Sequence, residues 1–177
     1  PSNNVWSWPG VDGETSHAQR MKRFLADPYN LRPPTFIGFP CAKDSTWEQR
    51  YPGRSSALVL TIADPRIFDK WKCTETKKRG VDAKEYDAIK AKWEKILLKE
   101  LFGHFPHLAK DGIITGTDVS TPLTFNHYLR STNGEVYGLE LGKWRFEPKA
   151  FDVLRPTTPI QGLYMTGQDV AVCFFFF

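Results

Sequence analysis

From about Ala83 to Phe105 the chain carries one uninterrupted run in which Tyr86, Ile89, Trp93, Ile96, Leu97, Leu101, Phe102 and Phe105 recur at spacings of three and four. That period places them on one side of an α-helix. Lys and Glu fill the other side, and Glu85, Asp87 and Glu94 read as its solvated face. Gly80 precedes the run, and Pro106, which cannot continue a helix, ends it. A helix with so broad an aromatic stripe needs a second layer to cover it. Burial of Trp93, Leu97 and Leu101 is expected to contribute ~1.5–3 kcal/mol each, and Leu97→Ala is expected to cost ~2–5 kcal/mol.

Two short apolar runs can supply that layer. Thr35 to Phe39 is bounded by prolines, and Ser56 to Ala63 reads "SALVLTIA"; both are predicted strands, and with a loop between them they can pair antiparallel. An earlier helix is predicted over Glu14–Ala26, from Ala18, Met21, Phe24 and Leu25, closed by Asp27-Pro28. After the long helix, "IITGTDVSTPLTFNHYLR" opens as a strand and then a turn. A short helix follows to about Arg130, with Thr121 as N-cap and Pro122 at the first helical position. "STNGEVYG" is a glycine turn, the segment from Trp144 to Gly162 is broken by prolines, and "GLYMT" is a last predicted strand. The expected fold class is α+β.

Charge and cysteine usage narrow the chemistry. The net charge is +4, from 24 basic and 20 acidic residues that alternate without forming a stripe, so no nucleic-acid footprint is expected. The basic stretch Lys77–Gly80 reads as a solvated loop. Cys41, Cys73 and Cys173 are odd in number and widely spaced, which suits buried free thiols rather than a disulfide framework or a metal site. The histidines form no HExxH pattern, and His104 and His107 near the helix end suit capping or solvation, so no metal is expected. No stretch approaches the ~20 apolar residues of a spanning helix. "PSNNVWSWPG" has neither the basic start nor the apolar core of a signal peptide, and the missing initiator methionine suggests a processed or partial chain. Aromatics at 14% imply a well-filled core or an apolar ligand cavity.

No complete catalytic motif occurs. GxSxG, GxGxxG and GxxxxGK[ST] are absent, and no Cys-His pair has suggestive spacing. Two places are unusual. "STPLTFNHYL" followed by "GEVYG" joins a capped helix start to a glycine turn and carries Tyr128 and Tyr137; free N–H donors at such a start suit polar or anionic groups. In "GLYMTGQD" a run ends in a glycine beside a carboxylate, so backbone can approach a ligand and the acid can accept hydrogen bonds from hydroxyls. Each is also what ordinary capping and a plain tight turn would produce.

"FPCAKDSTWEQRYPGRSS", "STPLTFNHYL", "GEVYG" and "LRPTTPIQGLYMTGQDV", in this order, resemble the carboxy-terminal half of the retinol saturase branch within the phytoene desaturase and carotenoid isomerase group of flavoproteins. The similarity covers nearly the whole chain from about Thr35 and lies in the ordered set rather than in one motif. It implies FAD held by a Rossmann-type domain, with a substrate domain inserted into it. Residues 1–155 would be part of the substrate domain, and 156–177 the returning strand of the flavin domain. Gly167, Gln168 and Asp169 are then implied as FAD contacts, Asp169 accepting a flavin hydroxyl. The implied reaction saturates one C=C bond of a polyene alcohol, by hydride from reduced flavin plus a proton. Tyr128 and Tyr137 are proton-donor candidates, NAD or NADP would be the electron source, and the location would be the endoplasmic reticulum membrane surface.

Two departures from that pattern stand out. The glycine fingerprint is missing, and Phe174 to Phe177 stand where a glycine-bearing turn and a helix are expected, as at a truncated or misread coding end. The missing flavin domain would therefore be a required partner. The alternatives are a carotenoid isomerase or desaturase fragment, and a cofactor-less module that binds an apolar ligand or a protein.

Overall fold

A computed structural model of the chain describes residues 4–8, 16–72, 82–136, 138–139, 142–167 and 169–170. They form two compact units, Pro1–Thr121 and Pro122–Phe177.

The first unit is α+β. Strand β1 is Val5–Ser7, helix α1 is His17–Ala26, and strand β2 is Thr35–Gly38. A short helix α2 at Trp47–Arg50 leads to strand β3 at Leu58–Thr61, and the long helix α3 spans Asp82–His104. The Ser16 side chain caps α1 by accepting the Gln19 N–H at 3.2 Å. At the other end the Asp27 N–H reaches back to the Arg23 and Phe24 carbonyls, just before Pro28.

The two predicted strands pair antiparallel, with Phe36 opposite Leu60 and Ile37 opposite Val59. The sheet also has a third member that the sequence reading left unassigned: β1 pairs antiparallel with β2, Trp6 opposite Phe36 and Val5 opposite Ile37. Alternation sorts the residues of this β1-β2-β3 sheet onto its two faces. Val5, Ile37 and Val59 face the core with Leu98, Leu101, Phe102 and Phe105 of α3, and Ile37 is completely buried. Phe39 meets Phe105 edge to face, ring centres 5.0 Å apart.

The first half of α3 has other partners. Tyr86 packs on Trp71 at 5.6 Å, Trp93 on Tyr29 at 5.7 Å, and the buried Tyr86 hydroxyl shares a 2.6 Å hydrogen bond with Thr121. The aromatic stripe is therefore covered as expected, but unevenly. Tyr86, Trp93 and Leu101 are buried, whereas Leu97 is only half-buried. The acidic face also has an exception. Glu100 is buried and accepts the Arg32 Nε–H on both oxygens, at 3.0 and 2.8 Å, while Arg32 Nη2 lies 3.4 Å from Ser7 Oγ and 3.3 Å from His104 Nε2. A buried carboxylate needs such a partner, and the Nε–H of the charged guanidinium supplies it.

"IITGTDV" is not a strand: residues 114–120 run as mostly exposed coil. The sheet ends at β3, and among the described residues no backbone pairing extends it to this segment.

In the second unit helix α4 is Pro122–Leu129, starting where the Thr-Pro signal put it, and helix α5 is Pro148–Val153. A 3₁₀ turn at Lys143–Phe146 runs directly into α5, with Ala150 and Leu154 buried. "GLYMT" is not a strand either. One antiparallel bridge joins Thr157 to Tyr164, and the Met165 N–H donates to the Pro156 carbonyl at 2.7 Å. Thr158 Oγ closes the loop between them on the Leu163 carbonyl. Leu163, Tyr164 and Met165 are exposed, and no parallel neighbour flanks them among the described residues.

Candidate cofactor-contacting turn and apolar cleft

The two unusual places in the sequence meet in the second unit. Gly134, in the left-handed region at φ +80°, lies so close to the start of α4 that an added Cβ would stand 2.4 Å from Pro122 Cα. Glu135 ties the same turn by accepting the Thr132 and Asn133 N–H groups at 2.7 and 2.6 Å. The second glycine of "GEVYG" faces the acid of "TGQD". A Cβ on Gly138 would stand 2.5 Å from Asp169 Oδ2, and the Leu139 N–H donates to Asp169 Oδ1 at 3.0 Å.

A third residue completes this arrangement. Arg145, from the 3₁₀ turn, is buried, donates to the Leu139 carbonyl at 3.4 Å, and brings Nη1 to 3.9 Å from Asp169 Oδ1. Sequence reasoning missed Arg145, because "KWRFEPK" has no periodicity to single out one cation. Burial makes it matter: a guanidinium removed from water needs an acceptor and a counter-charge.

The carboxylate of Asp169 is thus held by the chain itself, with about a third of the side chain, 34%, left open. Gly167 has φ +105°, and nothing lies within 4 Å of where a Cβ would be, so its backbone face is bare. An accessible glycine followed by a fixed, partly open acceptor suits the hydroxylated chain of a cofactor, and these residues fit that group. Gln168 and Tyr137 lie outside the described residues. Tyr128, at the end of α4, is 76% exposed with its ring edge against His127. It makes no described contact with Asp169.

The first unit holds an apolar cleft of about 330 Å³. Leu58 and Val59 of β3 form one wall, and Leu97, Leu98 and Leu101 of α3 another. The coil that was expected to be a strand supplies the rest, through Ile113, Ile114 and Val119. Polar groups enter from Glu94, Thr117 and Asp118, with the Thr117 hydroxyl donating to Glu94 Oε1 at 2.5 Å. Ser55 and Ser56 also line the cleft and contact the buried Cys41 thiol behind them. Burial pushes this thiol up, but the bonds with Ser55 and Ser56 outweigh that and bring it below its ordinary value. Cys41 is a buried free thiol as expected; Cys73, Cys173 and the Lys77–Gly80 stretch lie outside the described residues.

Curated relatives match over most of the chain. An all-trans-retinol 13,14-reductase of Macaca fascicularis is 33% identical over 177 residues, covering 98% of this chain and 28% of the relative. One of Danio rerio is 37% identical over 143 residues, covering 81% of this chain and 23% of the relative. A second Danio rerio protein, named inactive all-trans-retinol 13,14-reductase, is 28% identical over 138 residues, 78% of this chain and 22% of the relative. No family model and no solved structure matches. The chain is a homologue of the all-trans-retinol 13,14-reductases and spans about a quarter of their length, 28% and 23% for the first two.

Proposed function

We propose that this chain is part of a flavin-dependent oxidoreductase that saturates a C=C bond of a retinol-like polyene. The observation that carries the reading is the similarity to named retinol reductases along 98% of the chain. The arrangement around Asp169 supports it: two sequence motifs of the resemblance come together to hold one carboxylate beside a bare glycine. When bound, FAD would supply the hydride to the polyene. Gly167 would let backbone approach the cofactor, with Gln168 next to it. Asp169, fixed by Leu139 and Arg145, would accept a hydrogen bond from a hydroxyl of the flavin chain. Tyr128 and Tyr137 are the candidates for delivering the second hydrogen as a proton. The 177 residues hold no GxGxxG, so in this reading the pyrophosphate is seated by another part of the protein. In this reading NADH or NADPH would supply the electrons to the flavin, and the protein would work at the endoplasmic reticulum membrane surface.

A second reading has its own observation. One relative is named inactive, which favours a protein that holds an apolar ligand without reducing it. A chimera separates the two. This chain replaces the aligned stretch of the Danio rerio reductase, and bound flavin and dihydroretinol formation are measured. Flavin retention with product supports the reductase; a folded, flavin-containing chimera without product supports the binding protein. Asp169→Ala in the chimera should weaken flavin retention by about 1.5–3 kcal/mol, the range for a hydrogen bond to a charged group. Turnover at saturating FAD should survive, while loss of turnover at full flavin occupancy would overturn the assigned role.

A further inference from the structure

A second recess in the first unit is apolar except for its cations. Helix α1, Trp8 just after β1, and the residues that lead into β2 enclose a space of about 20 Å³. Met21 and Phe24 of α1 line it with Pro34 and the ring of Trp8, while Arg20, Arg32 and His17 bring the polar groups. No Asp or Glu is in that lining. The Arg32 charge is already matched by Glu100, on which its Nε–H is spent. Arg20 has no such match. Its Nε is shut off from solvent and meets no acceptor among the described residues. A charged donor taken out of water and left unpaired is costly, and the opening beside it lets an acceptor arrive from outside.

We propose that this recess is a binding site for a monocarboxylate attached to an aromatic body. Charge decides the head: with Arg32 balanced by Glu100, the one positive charge of Arg20 is left to match. Size agrees. A water needs about 10–15 Å³ on the same scale, so the recess admits the two oxygens of a carboxylate and not the four of a phosphate. The planar fork of a guanidinium suits two such oxygens side by side. The body stays outside, where the Trp8 ring is 45% exposed and stacked parallel to Trp6 at 6.5 Å, a flat apolar surface for a further ring. The flavin reading plays no part in this site, since its residues belong to the first unit and the Asp169 turn to the second.

The test is an NMR titration of the full chain, at constant ionic strength, with benzoate, benzamide and inorganic phosphate. The indole N–H signals are followed, and Trp8→Phe identifies that of Trp8. Benzoate should move the Trp8 signal with a dissociation constant on the order of 1 mM, as suits so small a ligand. Benzamide, of the same shape without the charge, and phosphate should each bind about tenfold more weakly or worse. Arg20→Gln should weaken benzoate by about tenfold, and Arg20→Lys, which keeps the charge without the fork, by less. Without ligand, the thermal midpoint of Arg20→Gln should be no lower than that of the unchanged chain, because the change removes an unpaired charge and no side-chain bond. No benzoate binding would overturn the proposal, as would binding indifferent to Arg20→Gln, or benzamide or phosphate binding as tightly. So would benzoate binding that appears only when Asp12 and Glu14, the acids between Trp8 and Ser16 in the sequence, are changed to Asn and Gln, since the chain's own acid would then be the occupant.

Discussion

Truncating Leu101 to alanine tests whether the sheet and α3 share one core. Leu101 is 3% exposed and lies in one cluster with Ile37 and Phe39, which are 0% and 7% exposed. The side chains around it belong to strands and a long helix, so the site cannot collapse freely, and a loss of about 3–4 kcal/mol is expected. Leu97 sits one turn earlier on the same helix and lines the same cleft as Leu101, but it is only half-buried. Its truncation widens a space that already exists, so the cost falls to about 1–1.5 kcal/mol, roughly half a full burial. This revises the larger loss that the helical period alone suggested. Urea unfolding followed by tryptophan emission measures both, since Trp71 and Trp93 are buried in the same unit. With a slope of about 1.5 kcal/mol per M, Leu101→Ala should lower the midpoint by about 2 M and Leu97→Ala by less than about 1 M, at unchanged slope. A Leu97→Ala midpoint as low as that of Leu101→Ala would refute the assignment of core and cleft.

Gly134→Ala should destabilise the second unit well beyond the ~1–2 kcal/mol of a left-handed residue, because the new methyl meets Pro122 backbone at 2.4 Å. Gly162→Ala, at the same φ of +80° with nothing within 4 Å, is the control, and equal thermal shifts for the two would contradict the close approach. Asp44 should give an acid-dependent contribution. The Thr46 hydroxyl and N–H, followed by Arg50, hold its carboxyl below the ordinary 3.8, so the contribution is present above that value and lost as pH falls through the lowered one. Asp44→Asn should therefore lower stability at pH ~6 and converge with the unchanged chain at low pH, where the carboxyl is protonated; a constant gap between denaturation midpoints across that range would count against it.

Local pattern was enough for elements whose partner is the chain's own nearest structure. The period of α3, the Ser16 cap of α1, Pro122 at the head of α4 and the apolar cores of β2 and β3 are all written in short windows, because capping and amphipathicity act over one or two turns. The α+β class follows from those windows. The same windows misassigned "IITGTDV" and "GLYMT", whose residues favour strands but have no ladder to complete; strand propensity is realised only when another backbone pairs with it. They also passed over Val5–Ser7, too short to signal alone and ordered by its pairing with β2.

The candidate site divides in the same way. "GEVYG" and "TGQD" were visible as unusual turns, yet that Gly138 and Leu139 face Asp169 could not be read from two segments 30 residues apart. Arg145 and Glu100 were invisible, since a single charge among many acquires meaning only when folding removes it from water and forces it to find a partner. The cleft is wholly a product of tertiary structure. Leu58, Leu97 and Ile114 lie far apart in the chain, and only the packing of helix, strand and coil around an unfilled volume makes one surface of them. The sequence by itself determined which residues are apolar and where helices and turns begin. The tertiary structure decided which apolar residues are core and which line a cavity, because burial depends on neighbours that no local window contains.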